Sequence, residues 1–103
     1  MNLSELHKKI IDDFKKGNFR ENLKDLIKIF KKNKNSDIAN KLGVIFVNLN
    51  KKKFAKYFFQ ISIKDDKKNY KAYFNLANLL RLSNSSAAKK YIDIALSIQE
   101  TKE

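Results

Sequence analysis

Two stretches of this chain match each other at a spacing of 34 residues. The matched positions are Leu42, Gly43, Phe46 and Asn50 in the first stretch and Leu76, Ala77, Leu80 and Asn84 in the second. A single globular core gives a chain no reason to repeat itself, whereas a stack of helical hairpins does, because each hairpin buries its apolar face against the next. The spacing therefore predicts a helical repeat architecture, although it identifies neither a partner nor a reaction.

The composition agrees with one all-helical domain. The 103 residues are 43% hydrophobic, and two Gly with no Pro leave little material for the tight turns of a sandwich or barrel. The lack of Cys excludes disulfides, thiolate metal sites and a cysteine nucleophile. No apolar run approaches the length of a signal core or a membrane span, so we expect a cytoplasmic chain without membrane association.

Apolar residues at three- and four-residue steps predict six helices. We expect them to pair into three hairpins over about 2–34, 35–68 and 69–101, with Ser36 capping the third helix and Ser85 or Ser86 capping the sixth. Gly43 and Ala77 lie in mid-helix, which indicates close helix crossings there. The large side chains expected to fill the space between hairpins are Phe46, Phe59, Tyr91 and Ile92.

The small and large residues resemble the tetratricopeptide repeat (TPR) family. The motif is carried by Leu42-Gly43 with Phe46, Ala55, Phe59 and Ser62, and again by Leu76-Ala77 with Leu80, Ala88, Ile92 and Ala95. The first hairpin departs from it, because Asn22 stands where the family has a small Ala and no Leu-Gly pair precedes it. The resemblance implies an all-α, right-handed superhelical stack of antiparallel hairpins. Related helical-hairpin arrays would imply nearly the same function.

The resemblance also implies a concave groove lined by the first helix of each hairpin. In this chain the groove residues would be Asn40, Lys41, Val44, Lys71, Phe74, Asn75, Asn78 and Arg81, together with Asp37 and Asn48. Asn side chains can hydrogen-bond an extended peptide in both directions, and Lys or Arg can bind carboxylates. We therefore expect a noncatalytic scaffold that binds a peptide or protein segment, with an acidic segment preferred on charge grounds.

The net charge of +12 leaves a second class of function open. It is carried by 21 Lys and only two Arg, which favours diffuse charge over bidentate recognition. Nonspecific nucleic-acid binding would use the corner lysines Lys31, Lys32, Lys34, Lys64, Lys67 and Lys68. The aromatic residues have core spacing, so we interpret them as packing and not as a stacking platform for bases. An accessory segment of a larger enzyme is a further alternative.

Nothing in the sequence predicts catalysis, a metal site or a cofactor. His7 is the only His, and the acidic pairs Asp12-Asp13 and Asp65-Asp66 consist of adjacent residues, which point in different directions on a helix. The last helix is followed by no further solvating helix, so Tyr91, Ile94 and Ile98 should be partly exposed. Either the chain is the N-terminal section of a longer array, or this terminal helix is a surface for self-association.

Overall fold

The described part of the protein, residues 19–101 of the computed structural model, consists of five α-helices and contains no strand. The helices are α1 (Phe19–Lys32), α2 (Ser36–Asn48), α3 (Lys52–Asp65), α4 (Tyr70–Leu80) and α5 (Ser85–Thr101). The expected all-helical class is confirmed for these residues. The first predicted helix, and with it most of the first predicted hairpin, lies outside them.

Three helices, α2, α4 and α5, each follow an Asn whose side-chain oxygen accepts a backbone N–H. Asn35 accepts from Asp37 at 2.8 Å, and Asn84 accepts from Ala87 at 3.1 Å. Asn69 accepts from Ala72 at 3.3 Å. Asn35 caps α2, Asn69 caps α4 and Asn84 caps α5. Because the amide oxygen one residue upstream satisfies the free N–H groups of the first turn, the following Ser is not needed as a cap.

The caps predicted from serines are therefore wrong. Ser36 is the first residue of α2, and Ser85 is the first residue of α5. The hydroxyl of Ser36 is engaged in contacts with another helix, which is why it takes no part in capping. Ser and Asn are both good N-cap residues, so adjacent Asn-Ser pairs leave the choice open at the level of sequence.

Helices that follow each other in sequence pack against each other, and α2 also contacts α4. The buried side chains form two clusters. Leu26, Leu42 and Ile45 make up the first, which joins α1 to α2, and Ala55, Phe59 and Leu76 make up the second, which joins α3 to α4. The apolar interior of the described part thus extends along the order of the helices.

Gly43 provides the close crossing that its mid-helix position predicts. A Cβ atom on this residue would lie 2.5 Å from Cδ1 and 2.9 Å from Cζ of Phe59. Those distances are well inside van der Waals contact, so the ring of Phe59 occupies the space that any other side chain at position 43 would need. The crossing of α2 and α3 explains why a residue with poor helix propensity stands in α2.

Three large side chains are less buried than their spacing predicts. Phe54 is 55% exposed and Tyr57 is 58% exposed, so these two aromatic side chains are not core residues, although their spacing predicts that they are. Ile92, expected to fill space between hairpins, is 38% exposed because no described helix covers it. The expected exposure on the last helix is confirmed, since Ile94 is 40% exposed and Tyr91 is half-buried.

Candidate binding groove

A buried polar junction links α2, α3 and the start of α4. It consists of Ser36 on α2, Ser62 on α3 and Asn69 at the start of α4, which are 5%, 0% and 8% exposed. The two serines form reciprocal hydrogen bonds, because each hydroxyl donates to the backbone carbonyl oxygen of the other residue at 2.7 Å. The Nδ2 atom of Asn69 lies 2.8 Å from Ser36 Oγ and 3.2 Å from Ser62 Oγ.

Each polar side-chain atom in this junction has a hydrogen-bond partner. Each serine hydroxyl has one proton and donates it to the carbonyl oxygen opposite, so the 2.9 Å approach of the two Oγ atoms is not itself a hydrogen bond. The two protons on Asn69 Nδ2 then reach the two hydroxyl oxygens, while its Oδ1 caps α4. Because all donors and acceptors are used, the junction positions α4 relative to α2 without leaving a buried polar group unpaired.

The groove face opens as a cleft between α2 and α4. The cleft has a volume of about 340 Å³, and its lining residues are Val44, Val47, Lys52, Phe59, Asn75, Asn78, Leu79, Arg81, Leu82 and Ser83. Four of the ten predicted groove residues are among them, namely Val44, Asn75, Asn78 and Arg81. An apolar floor with amide and guanidinium groups at its edge is typical of a site that binds by shape and a few polar contacts.

Asn40 and Lys41 lie beside this cleft on α2. Asn75 Nδ2 donates to Asn40 Oδ1 at 2.9 Å, which links the two helices across the predicted groove. Lys41 interacts electrostatically with Lys71 of α4. The structure therefore brings together two cations that the sequence separates by 30 positions.

The environment of Lys41 disfavours its positive charge. Burial lowers the pKa of this ammonium group below its ordinary value, and the positive charge of Lys71 lowers it further, while Asp37 acts in the opposite direction. A negatively charged group beside Lys41 would relieve this situation, because it stabilises the charged form. Lys41 and Lys71 thus place two basic side chains on this side of the groove.

Two lining side chains have no partner within the described residues. The side chains of Asn78 and Arg81 are exposed and make no hydrogen bond or ion pair to the side chains that the structure describes. The predicted groove residue Asn48 is different, because its Nδ2 donates to Val44 O within α2 at 2.9 Å. Phe74 is half-buried and packs edge to face on Tyr70, with 6.4 Å between ring centroids.

The sequence interpretation missed several residues of the cleft. Val47 and Leu79 follow Val44 and Asn75 by three and four positions, so they share the same helix faces and helical spacing alone could have added them. Lys52 and the turn after α4, represented by Leu82, have no such signal. Their place in the cleft depends on how α3 and the α4–α5 turn pack in three dimensions.

The groove can offer hydrogen bonds, positive charge and apolar contact. No group of His, Asp and Glu that could hold a metal ion occurs among the described residues, and His7 lies outside them. In the same part of the chain, no helix is both long enough and apolar enough to cross a membrane. No protein-family model matches the chain, and no curated protein matches it either.

Proposed function

We propose that this chain is a noncatalytic scaffold of the TPR type, a right-handed stack of helical hairpins that binds an acidic peptide or protein segment in its concave groove. The proposal has two parts, the repeat architecture and the ligand. Different observations support them.

Equivalent positions in the two better repeats support the architecture. Leu42 and Leu76 are both fully buried at a spacing of 34 residues, and Asn35 and Asn69 both cap helices at the same spacing. Packing follows the order of the helices along the chain. A stack of hairpins has these properties because each unit contacts its neighbours in sequence.

The cleft between α2 and α4 carries the ligand part of the proposal. It combines an apolar floor with the side chains of Asn78 and Arg81, which no other described residue engages. An extended peptide presents backbone donors and acceptors that an Asn amide can satisfy from both sides. Arg81, Lys41 and Lys71 favour acidic side chains in that peptide, since a carboxylate can pair with their positive charges.

The test begins by selecting peptides that bind the immobilised chain from a displayed random library. The dissociation constant of a selected peptide is then measured by fluorescence anisotropy for the unaltered chain, Asn78→Ala and Arg81→Gln. We expect Asn78→Ala to weaken binding by about threefold to tenfold, the usual effect of one net hydrogen bond, and Arg81→Gln to weaken it at least as much. Lysine NMR should show the pKa of Lys41 rising in the complex.

Matched controls separate the groove from general charge. Asn33→Ala removes an exposed Asn at the α1–α2 turn, and Lys89→Gln removes one exposed positive charge from α5. Neither position lines the cleft, so both variants should bind the selected peptide like the unaltered chain. The proposal is wrong if the controls weaken binding as much as the groove variants, or if Asn78→Ala leaves the affinity unchanged.

A further inference from the structure

A second cleft, formed by the end of α1 and the outer face of α3, combines aromatic and basic side chains. Its volume is about 430 Å³, and its lining residues are Phe30, Lys34, Tyr57, Ile61, Lys64 and Asp65. It shares no residue with the groove between α2 and α4. We propose that this cleft binds single-stranded nucleic acid, with a base stacked on Tyr57 and phosphates held by Lys34 and Lys64.

Tyr57 offers an exposed ring surface. The side chain is 58% exposed, and its ring meets that of Phe58 at 84° with centroids 5.3 Å apart. In an edge-to-face contact at least one face of the Tyr57 ring is turned away from Phe58. An exposed aromatic face is the feature on which bases stack without sequence preference.

The Tyr57 ring is held in place by a group of packed aromatic rings. Phe58 contacts Phe30 of α1 edge to face at 5.6 Å and stacks on Phe46 of α2 at 5.4 Å. Phe46 in turn stacks on Phe54 at 5.3 Å. Because Phe58 is fixed from two helices, the neighbouring Tyr57 is presented on a rigid support, which reduces the entropy lost when a ligand stacks on it.

Lysines share the α3 face and the cleft lining with this ring. Lys53 precedes Tyr57 by four residues and Lys64 follows it by seven, which places both on the same face of α3. Lys34 adds a cation from the α1 side, and Asp65 is the one acidic side chain among the described residues that line the cleft. The charge balance favours a polyanion, and the exposed aromatic ring distinguishes a strand with free bases from a purely acidic peptide.

The experiment measures anisotropy of a labelled oligouridylate of roughly ten nucleotides, within the range of about 4–16 nucleotides known for single-strand sites. Tyr57→Ala should weaken binding by about tenfold, because one stacked base contributes about 1–3 kcal/mol. Tyr57→Phe keeps the ring and should bind like the unaltered chain. Tyr57 is mostly exposed, and a thermal melt by circular dichroism verifies that both variants remain folded.

A salt titration tests the two phosphate contacts. The pair Lys34→Gln and Lys64→Gln should flatten the slope of log affinity against log salt by about 1.4, since each contact on a single strand contributes about 0.7. The control pair Lys89→Gln and Lys90→Gln removes the same charge from exposed positions on α5 and should leave the slope unchanged.

Three results would overturn the proposal. The first is unchanged binding by Tyr57→Ala. The second is an equal loss of salt dependence in the control pair, which would mean that binding depends on the overall positive charge of the protein and not on this cleft. In the third, an oligoglutamate peptide binds with the same dependence on Tyr57, which would assign the cleft to acidic peptides. Because the variants avoid the groove, these outcomes are independent of the peptide-binding test.

Discussion

Helices α3 and α5 have the same pattern of small and large residues but differ in what covers them. The equivalent pairs, related by a shift of 33 residues, are Ala55 and Ala88, Phe59 and Ile92, and Ser62 and Ala95. The small residues are buried in both helices, because each packs on the helix before it. The large residues differ, since Phe59 is 1% exposed and Ile92 is 38% exposed.

This difference shows which part of a repeat depends on its neighbour. The face of α3 that carries Phe59 is covered by α4, where Leu76 joins the same buried cluster. No described helix follows α5, so Ile92 and Leu96 remain exposed. A repeat pattern therefore predicts which residues face inward, but the burial of the large ones requires the next unit to be present.

The largest expected effect comes from truncating the two equivalent large residues. Phe59→Ala should lower the free energy of unfolding by about 3–5 kcal/mol, because it opens a cavity between α3 and α4. Ile92→Ala should lower it by about 1 kcal/mol, since much of that side chain already contacts solvent. Urea unfolding followed by circular dichroism measures both values.

Protein concentration provides the control for this comparison. If a second copy covered α5 in solution, the effect of Ile92→Ala would grow with concentration, because burial at an interface adds to stability by mass action. We expect no such dependence in the range used for the unfolding experiment. Equal losses for Phe59→Ala and Ile92→Ala at every concentration would contradict the difference between the two helices.

The buried residues of the second and third predicted hairpins could be predicted from the sequence, because they recur with a single period. The match of Leu42 with Leu76 and the small residue at position 43 follow from spacing alone. The role of Asn69 could not be predicted in this way. Its partners Ser36 and Ser62 lie 33 and 7 positions away, and only the packing of three helices brings them together.

The groove illustrates the same limit. Helical periodicity combined with the family resemblance selected Val44, Asn75 and Asn78, and these do line one cleft. Periodicity says nothing about the environment of a charge, so the lowered pKa of Lys41 had no signal in the sequence. Tyr57 was missed for a related reason, because exposure of a helix face depends on which helices cover it.

The second comparison concerns the two equivalent caps, Asn35 and Asn69. Asn35→Ala should reduce stability by about 1 kcal/mol, the usual effect of losing an exposed N-cap. Asn69→Ala should reduce it by about 2–3 kcal/mol, because the hydroxyls of Ser36 and Ser62 also lose the donors that reach them. Denaturant unfolding of the two variants measures the difference.

A further variant separates the cap of Asn69 from its buried contacts. Asn69→Asp retains an oxygen that can cap α4 but has no amide protons for the two serine oxygens, and it buries a negative charge. It should therefore be at least as unstable as Asn69→Ala. A variant Asn69→Asp as stable as the unaltered chain would mean that the cap alone matters and that the junction contributes nothing.

A third comparison, with a smaller expected effect than Phe59→Ala or Asn69→Ala, concerns the pairing of Gly43 with Phe59. Gly43→Ala gains about 1 kcal/mol in helix propensity but places a methyl group against the Phe59 ring, so the net loss of stability should be about 1–2 kcal/mol. The substitution Phe59→Leu replaces the ring with a smaller aliphatic side chain and frees that space. In the Phe59→Leu background, Gly43→Ala should become neutral or stabilising, because only the propensity gain remains. A double-mutant cycle of unfolding free energies measures this coupling. Additive effects would show that the two side chains do not compete for space, and the crossing of α2 and α3 would need another explanation for its glycine.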